Sequence, residues 1–387
     1  MNEWKTYRIG DICKRVCSGG TPKSTEPSYY DGEIPWLNTK EINFNRISST
    51  EKHITLSGLE NSSAKWIDKN SVIVAMYGAT AAKVAINTIP LTTNQACCNL
   101  SIDETKADYR FVYYWLCSRY SELASLANGG AQQNLNAQQI KDFEIKLPEI
   151  QTQQKIADLL WSIDNKIICN KSINDNLEQQ ASHLFQDWIN NCENSIRLRE
   201  LTDNVLDYTP NTHDHVYLLN SSDVTEGQFT VLPLTPNINL KGQFKKRFKK
   251  GDILYSEIRP RNRHYAYCYF DADEYIASTR LIILRAKPEM LSSNILLYQY
   301  LMLNNVFEEF TLKTESRSGT FPQGNYEDLS SIKVPYGANQ EEIATALESI
   351  YKQLWNNLEE NERLEALRDS LLPKLMSGEL KLNEIDC

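Results

Sequence analysis

No apolar run in the 387 residues approaches the roughly 20 that a membrane helix needs, and residues 1–10 lack the basic start and apolar stretch of an export signal. A cytoplasmic protein is expected. The nine cysteines (Cys13, Cys17, Cys97, Cys98, Cys117, Cys169, Cys192, Cys268 and Cys387) are an odd number with no C-x-x-C knuckle, which predicts reduced thiols rather than a disulfide frame or a zinc site. Positive charge is not in excess. A formal net charge of −9 excludes a protein that coats nucleic acid indiscriminately, because such binding rests on Lys and Arg neutralising phosphates. Catalytic signatures are missing too: no G-x-S-x-G elbow, H-E-x-x-H helix, dinucleotide G-x-G-x-x-G or N-P-P-[YF] motif occurs. Ser18–Thr25 (SGGTPKST) is not a phosphate loop, since Pro22, which has no N–H, stands where glycine should precede Lys23. His213 and His215 flank Asp214 without a third ligand and read as surface residues.

What the chain does contain is an internal repeat. Leu147 onward (LPEIQTQQKIADLLWSI) matches Val334 onward (VPYGANQEEIATALESI) at an offset of 187, with identities that include Pro148 and Pro335, Gln153 and Gln340, and Ile163 and Ile350. Each copy predicts a helix, with Thr152 and Asn339 as candidate N-caps. Steps of four and three residues give Ile156, Leu160, Ile163, Ile167, Asn170, Asn174, Leu177, Ala181 and Leu184 in the first. The second gives Ile343, Leu347, Ile350, Leu354, Asn357, Asn361, Leu364, Arg368 and Leu371. This is the seam of a coiled coil, and buried Asn residues in such a seam fix register and partner. Antiparallel pairing brings Asn170 to Asn361 and Asn174 to Asn357. A parallel pairing also matches the Asn positions but sets both preceding domains side by side, so antiparallel is preferred. The first helix is expected to run to about Trp188 and the second to stop or kink near Pro373, ahead of Gly378.

The segments before the helices mix short β-branched and aromatic runs with turn residues and predict α/β domains. The expected division is 1–147 and 193–335 for the domains, with helical spacers at 148–192 and 336–387. Ser71–Tyr77 resembles Gly251–Glu257 as a buried strand, and Phe111–Leu116 resembles Leu296–Leu301 as a helix. Thr93-Asn94-Gln95 and Gln132-Gln133-Asn134 are polar clusters whose amides suit adenine edges. Lys241, Lys245, Lys246, Arg247, Lys249 and Lys250 form a basic run, followed by Arg259, Arg261, Asn262, Arg263 and His264 interleaved with tyrosines. Such a pattern suits phosphate contacts with base readout, and equally a solvated face.

Gly19-Gly20-Thr21-Pro22, Ile34-Pro35-Trp36, Tyr77-Gly78 with Lys83, Thr93-Asn94-Gln95, the two spacer repeats and Ser370 to Leu380 (SLLPKLMSGEL) together resemble the specificity subunits of type I restriction-modification systems, over nearly the whole chain. The resemblance implies two α/β target-recognition domains joined by two long helices in an antiparallel coiled coil, a pseudo-twofold repeat. It implies that each domain reads half of a bipartite, asymmetric double-stranded DNA site. The helices would serve as ruler and as platform for two methylation subunits, and motor-nuclease subunits would join them. No cofactor is expected on this chain; S-adenosylmethionine would come with the methylation subunits, and ATP and Mg with the motor. The candidate DNA-binding residues are Thr21, Lys23, Asn94, Gln95, Gln133 and Asn134 in the first domain, with Lys245, Lys246, Lys249, Arg259, Arg261, Asn262 and Arg263 in the second. The second domain lacks the GGTP loop and the Thr-Asn-Gln step, so the resemblance does not name its base-reading loop. A non-catalytic scaffold that organises partners through the coiled coil is the alternative reading.

Overall fold

The computed structural model describes residues 4–127, 134–316 and 321–380. They form two compact units, residues 1–168 with 361–387 and residues 169–360.

In the first unit the strands are β1 (Lys5–Arg8), β2 (Cys13–Ser18), β3 (Tyr30–Leu37), β4 (Asn45–Ile47), β5 (Lys52–Ile54), β6 (Trp66–Ile67), β7 (Val72–Ala75), β8 (Val84–Asn87), β9 (Leu91–Thr93), β10 (Cys97–Ile102) and β11 (Glu144–Leu147). They build a five-stranded sheet, β2-β10-β7-β8-β4, a four-stranded sheet, β5-β3-β9-β6, and the pair β1-β11. Helices α1 (Leu56–Glu60), α2 (Tyr109–Ser118), α3 (Tyr120–Ser125) and α4 (Ala137–Asp142) complete the domain. β7 is apolar throughout because both its faces are covered. Val72 and Val74 face α2 and the long-helix residues Ile156 and Leu160, while Ile73 and Ala75 pack with Leu37, Ile67 and Leu91 of the smaller sheet.

The second unit repeats this plan. Its strands are β12 (Asn194–Arg197), β13 (Thr202–Asn204), β14 (His215–Leu219), β15 (Val224–Thr225), β16 (Gln228–Phe229), β17 (Leu234–Pro236), β18 (Phe244–Lys246), β19 (Ile253–Ser256), β20 (Tyr265–Tyr267), β21 (Tyr275–Ser278), β22 (Leu281–Ala286) and β23 (Lys333–Tyr336). The sheets β13-β22-β19-β20 and β17-β14-β21-β18 and the pair β12-β23 follow the strand orders of the first unit, the larger sheet lacking a counterpart of edge strand β4, and β15 pairs with β16. Of the first unit's two parallel pairs, β3 with β9 recurs as β14 with β21, while β4 with β8 has no counterpart among the described residues of the second.

Two long helices are each divided between the units: α5 (Ile150–Asn190) and α10 (Gln340–Ser377), with α6 (Leu198–Leu201), α7 (Asn294–Met302), α8 (Asn304–Glu315) and α9 (Tyr326–Ser330) between them in the chain. The predicted seam residues are buried or half-buried along both helices. In the second unit the helix segments run antiparallel: Asn357 Nδ2 donates to Asn174 Oδ1 at 2.8 Å, Asn174 Nδ2 to the Leu354 carbonyl at 3.2 Å, and Trp188 Nε1 to the Ala338 carbonyl at 2.9 Å. Asn170 Nδ2 donates to Glu360 at 2.8 Å. In the first unit Asp164 and Arg368 meet at 3.1 Å in the same antiparallel sense.

Two helix ends differ from expectation. Thr152 is not an N-cap, because α5 begins at Ile150 and the Thr152 N–H already donates to the Glu149 carbonyl. The identical glutamine next to it holds the start instead: buried Gln153 accepts from the Asp108 N–H and donates to the Pro148 carbonyl. Nor does α10 stop at Pro373. It continues to Ser377, because Leu375 and Met376 beyond the proline are buried in the first unit's core, and it ends before Gly378, whose φ of 74° terminates a helix at little steric cost.

A polar pair ties each domain to its long helix. Tyr114 of α2 donates to Asp164 of α5 at 2.5 Å, and the carboxylate also faces Arg46 and Arg368 at 3.8 and 3.1 Å. The Arg46 guanidinium lies 3.3 Å over Trp161, which fixes that partner. At the corresponding place in the second unit, Gln299 of α7 donates to the Tyr351 hydroxyl of α10 at 2.7 Å. The eight described cysteines are free thiols, and burial pushes those of Cys13, Cys98, Cys117 and Cys268 up to about 12, leaving them inert small hydrophobes.

Asp164 is only 13% exposed and Arg368 28%, so Asp164→Ala leaves the Tyr114 hydroxyl without its acceptor and takes a carboxylate from two guanidinium groups, of which Arg368 keeps Asp369 and Arg46 keeps Asn165 and the Trp161 carbonyl. A loss of about 2–4 kcal/mol in urea unfolding is expected, with Asp164→Asn costing clearly less because an amide oxygen still accepts from Tyr114. Asn174→Leu strands the Asn357 amide and should cost about 1–3 kcal/mol. The double change of Asn174 and Asn357 to Leu should recover that stability; a double variant no more stable than the single one counts against the pairing.

Candidate DNA-reading loops

In each unit a covered sheet leaves only strand ends and loops for recognition. In the first unit three chain segments meet at one end of β7. The Gly20 N–H donates to the Thr93 carbonyl at 2.8 Å, the Met76 N–H to the Ala96 carbonyl at 2.8 Å, and the Leu135 N–H to the Met76 carbonyl at 2.8 Å. The predicted Gly19-Gly20 loop is close-packed: a Cβ on Gly19 would lie 2.1 Å from the Thr93 carbonyl oxygen, and one on Gly20 would lie 2.2 Å from the Ser63 carbonyl carbon. Trp36 Nε1 donates to the Gly20 carbonyl at 2.9 Å and the Tyr30 hydroxyl to the Pro22 carbonyl at 2.6 Å, so the loop is fixed on both sides of Thr21.

The candidate residues separate on this frame. Thr21 and Gln95 are exposed and joined, the Thr21 hydroxyl donating to the Gln95 amide oxygen. Lys23 is exposed beside them. Asn134 is exposed and bridges Tyr77 through its backbone, while Gln133 lies outside the described residues. Asn94 is not a reading residue in this geometry. Its side chain is buried, and Oδ1 accepts from the Ala96 N–H at 3.1 Å and from Cys97 Sγ at 3.3 Å, so it shapes the turn that presents Gln95. Lys83 reaches Asn43 at 2.7 Å on the neighbouring loop.

In the second unit Lys245 and Lys249 are exposed and make no ion pair among the described residues. Lys246 cannot contact a phosphate. It points inward from β18, its Nζ donating to the Leu281 carbonyl at 2.6 Å, and burial lowers its pKa. Period-two alternation explains the difference, since successive strand residues face opposite sides. Nearby Glu257 is shifted upward by burial, with Lys246 and Arg280 acting in the opposite sense.

The arginine loop is a short 3-10 turn, Pro260–Asn262, between left-handed residues Arg259 (φ 45°) and Arg263 (φ 52°). Arg261 forks onto Glu315 at 2.6 and 2.8 Å, and Arg263 lies 4.2 Å over Phe307. Both guanidinium groups therefore hold the loop on α8. Arg259, 5.5 Å from the Phe321 ring, and Asn262 are exposed.

Structure also supplies what the sequence comparison lacked, a counterpart of the Thr-Asn-Gln turn. Ser278, the last residue of β21, with Thr279-Arg280 leads into β22 where Asn94-Gln95-Ala96 joins β9 to β10. The Arg280 N–H donates to Ser278 Oγ at 3.3 Å, as Ala96 does to Asn94, and the Glu257 N–H donates to the Arg280 carbonyl at 3.0 Å, as Met76 does to Ala96. No residue is identical between the turns, so only the hydrogen-bond pattern reveals them.

A family model described as the type I restriction modification DNA specificity domain matches residues 1–179 and 233–366, reaching into both copies of the repeat. The chain is 34% identical over 167 residues to the type I restriction enzyme HindI specificity subunit of Haemophilus influenzae, an alignment covering 42% of this chain and 35% of that protein. It is 23% identical to the type I restriction enzyme MjaIX specificity subunit of Methanocaldococcus jannaschii over 99% of this chain and 95% of that one. The crystal structure of a type I restriction-modification S subunit from M. genitalium shares the fold, with a TM-score of 0.65 at 18% identity and 96% of each chain covered. The chain belongs to the family of DNA specificity subunits of type I restriction-modification systems.

Proposed function

We propose that this chain recognises a bipartite, asymmetric site on double-stranded DNA, one half with each unit, and directs methylation and restriction subunits to it without doing chemistry itself. The observation that carries the reading is the repeated turn at the end of a fully covered sheet, presented from two units whose side chains at that turn differ: two reading heads of one design and two targets. Thr21 and Gln95 serve as base-edge contacts of the first unit, with Lys23 beside them. Lys245 and Lys249 suit phosphates in the second, because exposed lysines without a carboxylate partner lose nothing by binding one. The long helices suit a ruler and a docking platform for two methylation subunits. S-adenosylmethionine belongs with those partners, and ATP with Mg belongs with the motor-nuclease. The complex works in the cytoplasm; no described helix is long and apolar enough to cross a membrane.

Mapping methylated bases in the host genome with and without the chain is the direct test, and a bipartite motif that disappears on deletion is the expected result. Absence of any such motif sinks the proposal. Gln95→Ala and Thr21→Ala should relax preference at one half-site by about 1–3 kcal/mol while the other half stays unchanged. Lys245→Gln and Lys249→Gln should weaken binding to all sequences alike and lower the salt-dependence slope by about 1 each. Lys246→Gln should instead reduce stability and leave that slope unaltered.

A further inference from the structure

The second unit's base-reading element is open on sequence grounds. Resting on the function proposed above, we infer that the turn Ser278-Thr279-Arg280 is the second unit's reading turn and that Arg280 is its specificity-determining residue, taking the edge of a guanine in one half-site.

Three observations carry this. The turn occupies the position of the Asn94-Gln95-Ala96 turn and repeats two of its hydrogen bonds, so its backbone is presented in the same way. Its rigidity comes from below: buried Lys246 donates to the Leu281 carbonyl next to Arg280, and the Thr279 N–H donates to the Gln243 carbonyl at 2.7 Å, whose side chain in turn reaches Asn220. The last residue of the turn is an exposed arginine whose guanidinium makes no hydrogen bond or ion pair among the described residues, unlike Arg261 on Glu315 and Arg263 over Phe307, although half-buried Glu257 feels its charge. An unpaired fork on a fixed backbone matches the two acceptors, O6 and N7, that guanine presents in the major groove. Exposed Lys241 and Lys245 flank Gln243 on the same segment and place positive charge beside the turn. In the first unit the position of Arg280 carries the buried Ala96 and the preceding one the exposed amide Gln95, so the same turn offers amide readout from its middle residue there and guanidinium readout from its last residue here.

The test is the methylation pattern of hosts carrying the full chain with Arg280→Ala, Arg280→Lys or Arg261→Ala, together with competition binding of the purified complex to duplexes permuted at each position. Arg280→Ala should reduce preference at one or two base pairs of a single half-site by about 10- to 100-fold, leaving the other half-site and the spacing between halves intact. Arg280→Lys keeps the charge but not the fork, so it should retain overall affinity and lose the guanine preference. Arg261→Ala should leave base preference unaltered. Unchanged preference in Arg280→Ala overturns the inference, as does a uniform loss over all sequences, which marks a phosphate contact. Because Arg280 is exposed, thermal unfolding of the variant should match the parent; if it does not, Arg280→Lys alone decides. A wild-type complex with no bipartite preference overturns the function itself, an outcome distinct from either of these.

Discussion

Burial of both faces of the central sheets is the constraint from which the rest of the molecule follows. β7 and β19 sit between helix and second sheet, and every side chain of Val72–Ala75 and of Ile253–Ser256 is buried. A strand covered on both sides has no surface left with which to read anything. Recognition is displaced to the strand ends, where the backbone is held by the sheet and only the tips of turns reach solvent. The same burial binds the domain to its spacer: Phe111, Trp115, Ile156 and Leu160 belong to one core in the first unit, and Tyr300, Leu296, Leu347 and Tyr351 to one core in the second. Domain and helix segment are thus parts of a single hydrophobic body in each unit, and not a module on a tether.

Within that body the repeat is kept by geometry more than by residue identity. Tyr114 donating to Asp164 becomes Gln299 donating to Tyr351, donor and acceptor types exchanged while the hydrogen bond between domain helix and spacer helix stays. Asp108 caps α2 and Ser293 caps α7. Asn136 with Gln139 and Asn325 with Asp328 form capping boxes at α4 and α9. At each place a buried or terminal polar group must be satisfied, and several side chains satisfy it equally. Such positions drift in sequence with little energetic consequence, whereas the seam, where volume and register both matter, drifts less.

This accounts for what was legible. Heptad spacing identifies the helices and their seam from residues alone, because periodicity is a direct image of the buried face, whereas the Asn positions fit either sense and the antiparallel preference comes from the placement of the preceding domains. Residue type, by contrast, does not report burial. Asn94 and Lys246 carry the right chemistry for nucleic acid and spend it inside the protein, one shaping a turn and the other bracing one. Thr152 fails as a cap because Gln153 does the joining, and Pro373 fails as a stop because the leucine and methionine after it have a core to enter. The Ser278-Thr279-Arg280 turn was invisible for the opposite reason, since its likeness to Asn94-Gln95-Ala96 lies in a hydrogen-bond pattern, one bond to a serine hydroxyl where the other turn uses an amide and one between backbones, that no comparison of residue identities registers.

The division between fixed backbone and exchangeable side chain also resolves the charge problem posed by an acidic chain that binds DNA. Affinity that depends on phosphate neutralisation needs many cations, but specificity needs a few groups held still. The first unit holds Thr21 and Gln95 still by packing glycine backbone against backbone, where a single added Cβ finds no room. The second holds its turn still with a buried lysine, at the expense of a cation that would otherwise face solvent. Both units thus commit glycines, amides and one charge to immobilising the reader instead of attracting the ligand. That allocation suits a subunit whose neighbours can supply the attraction.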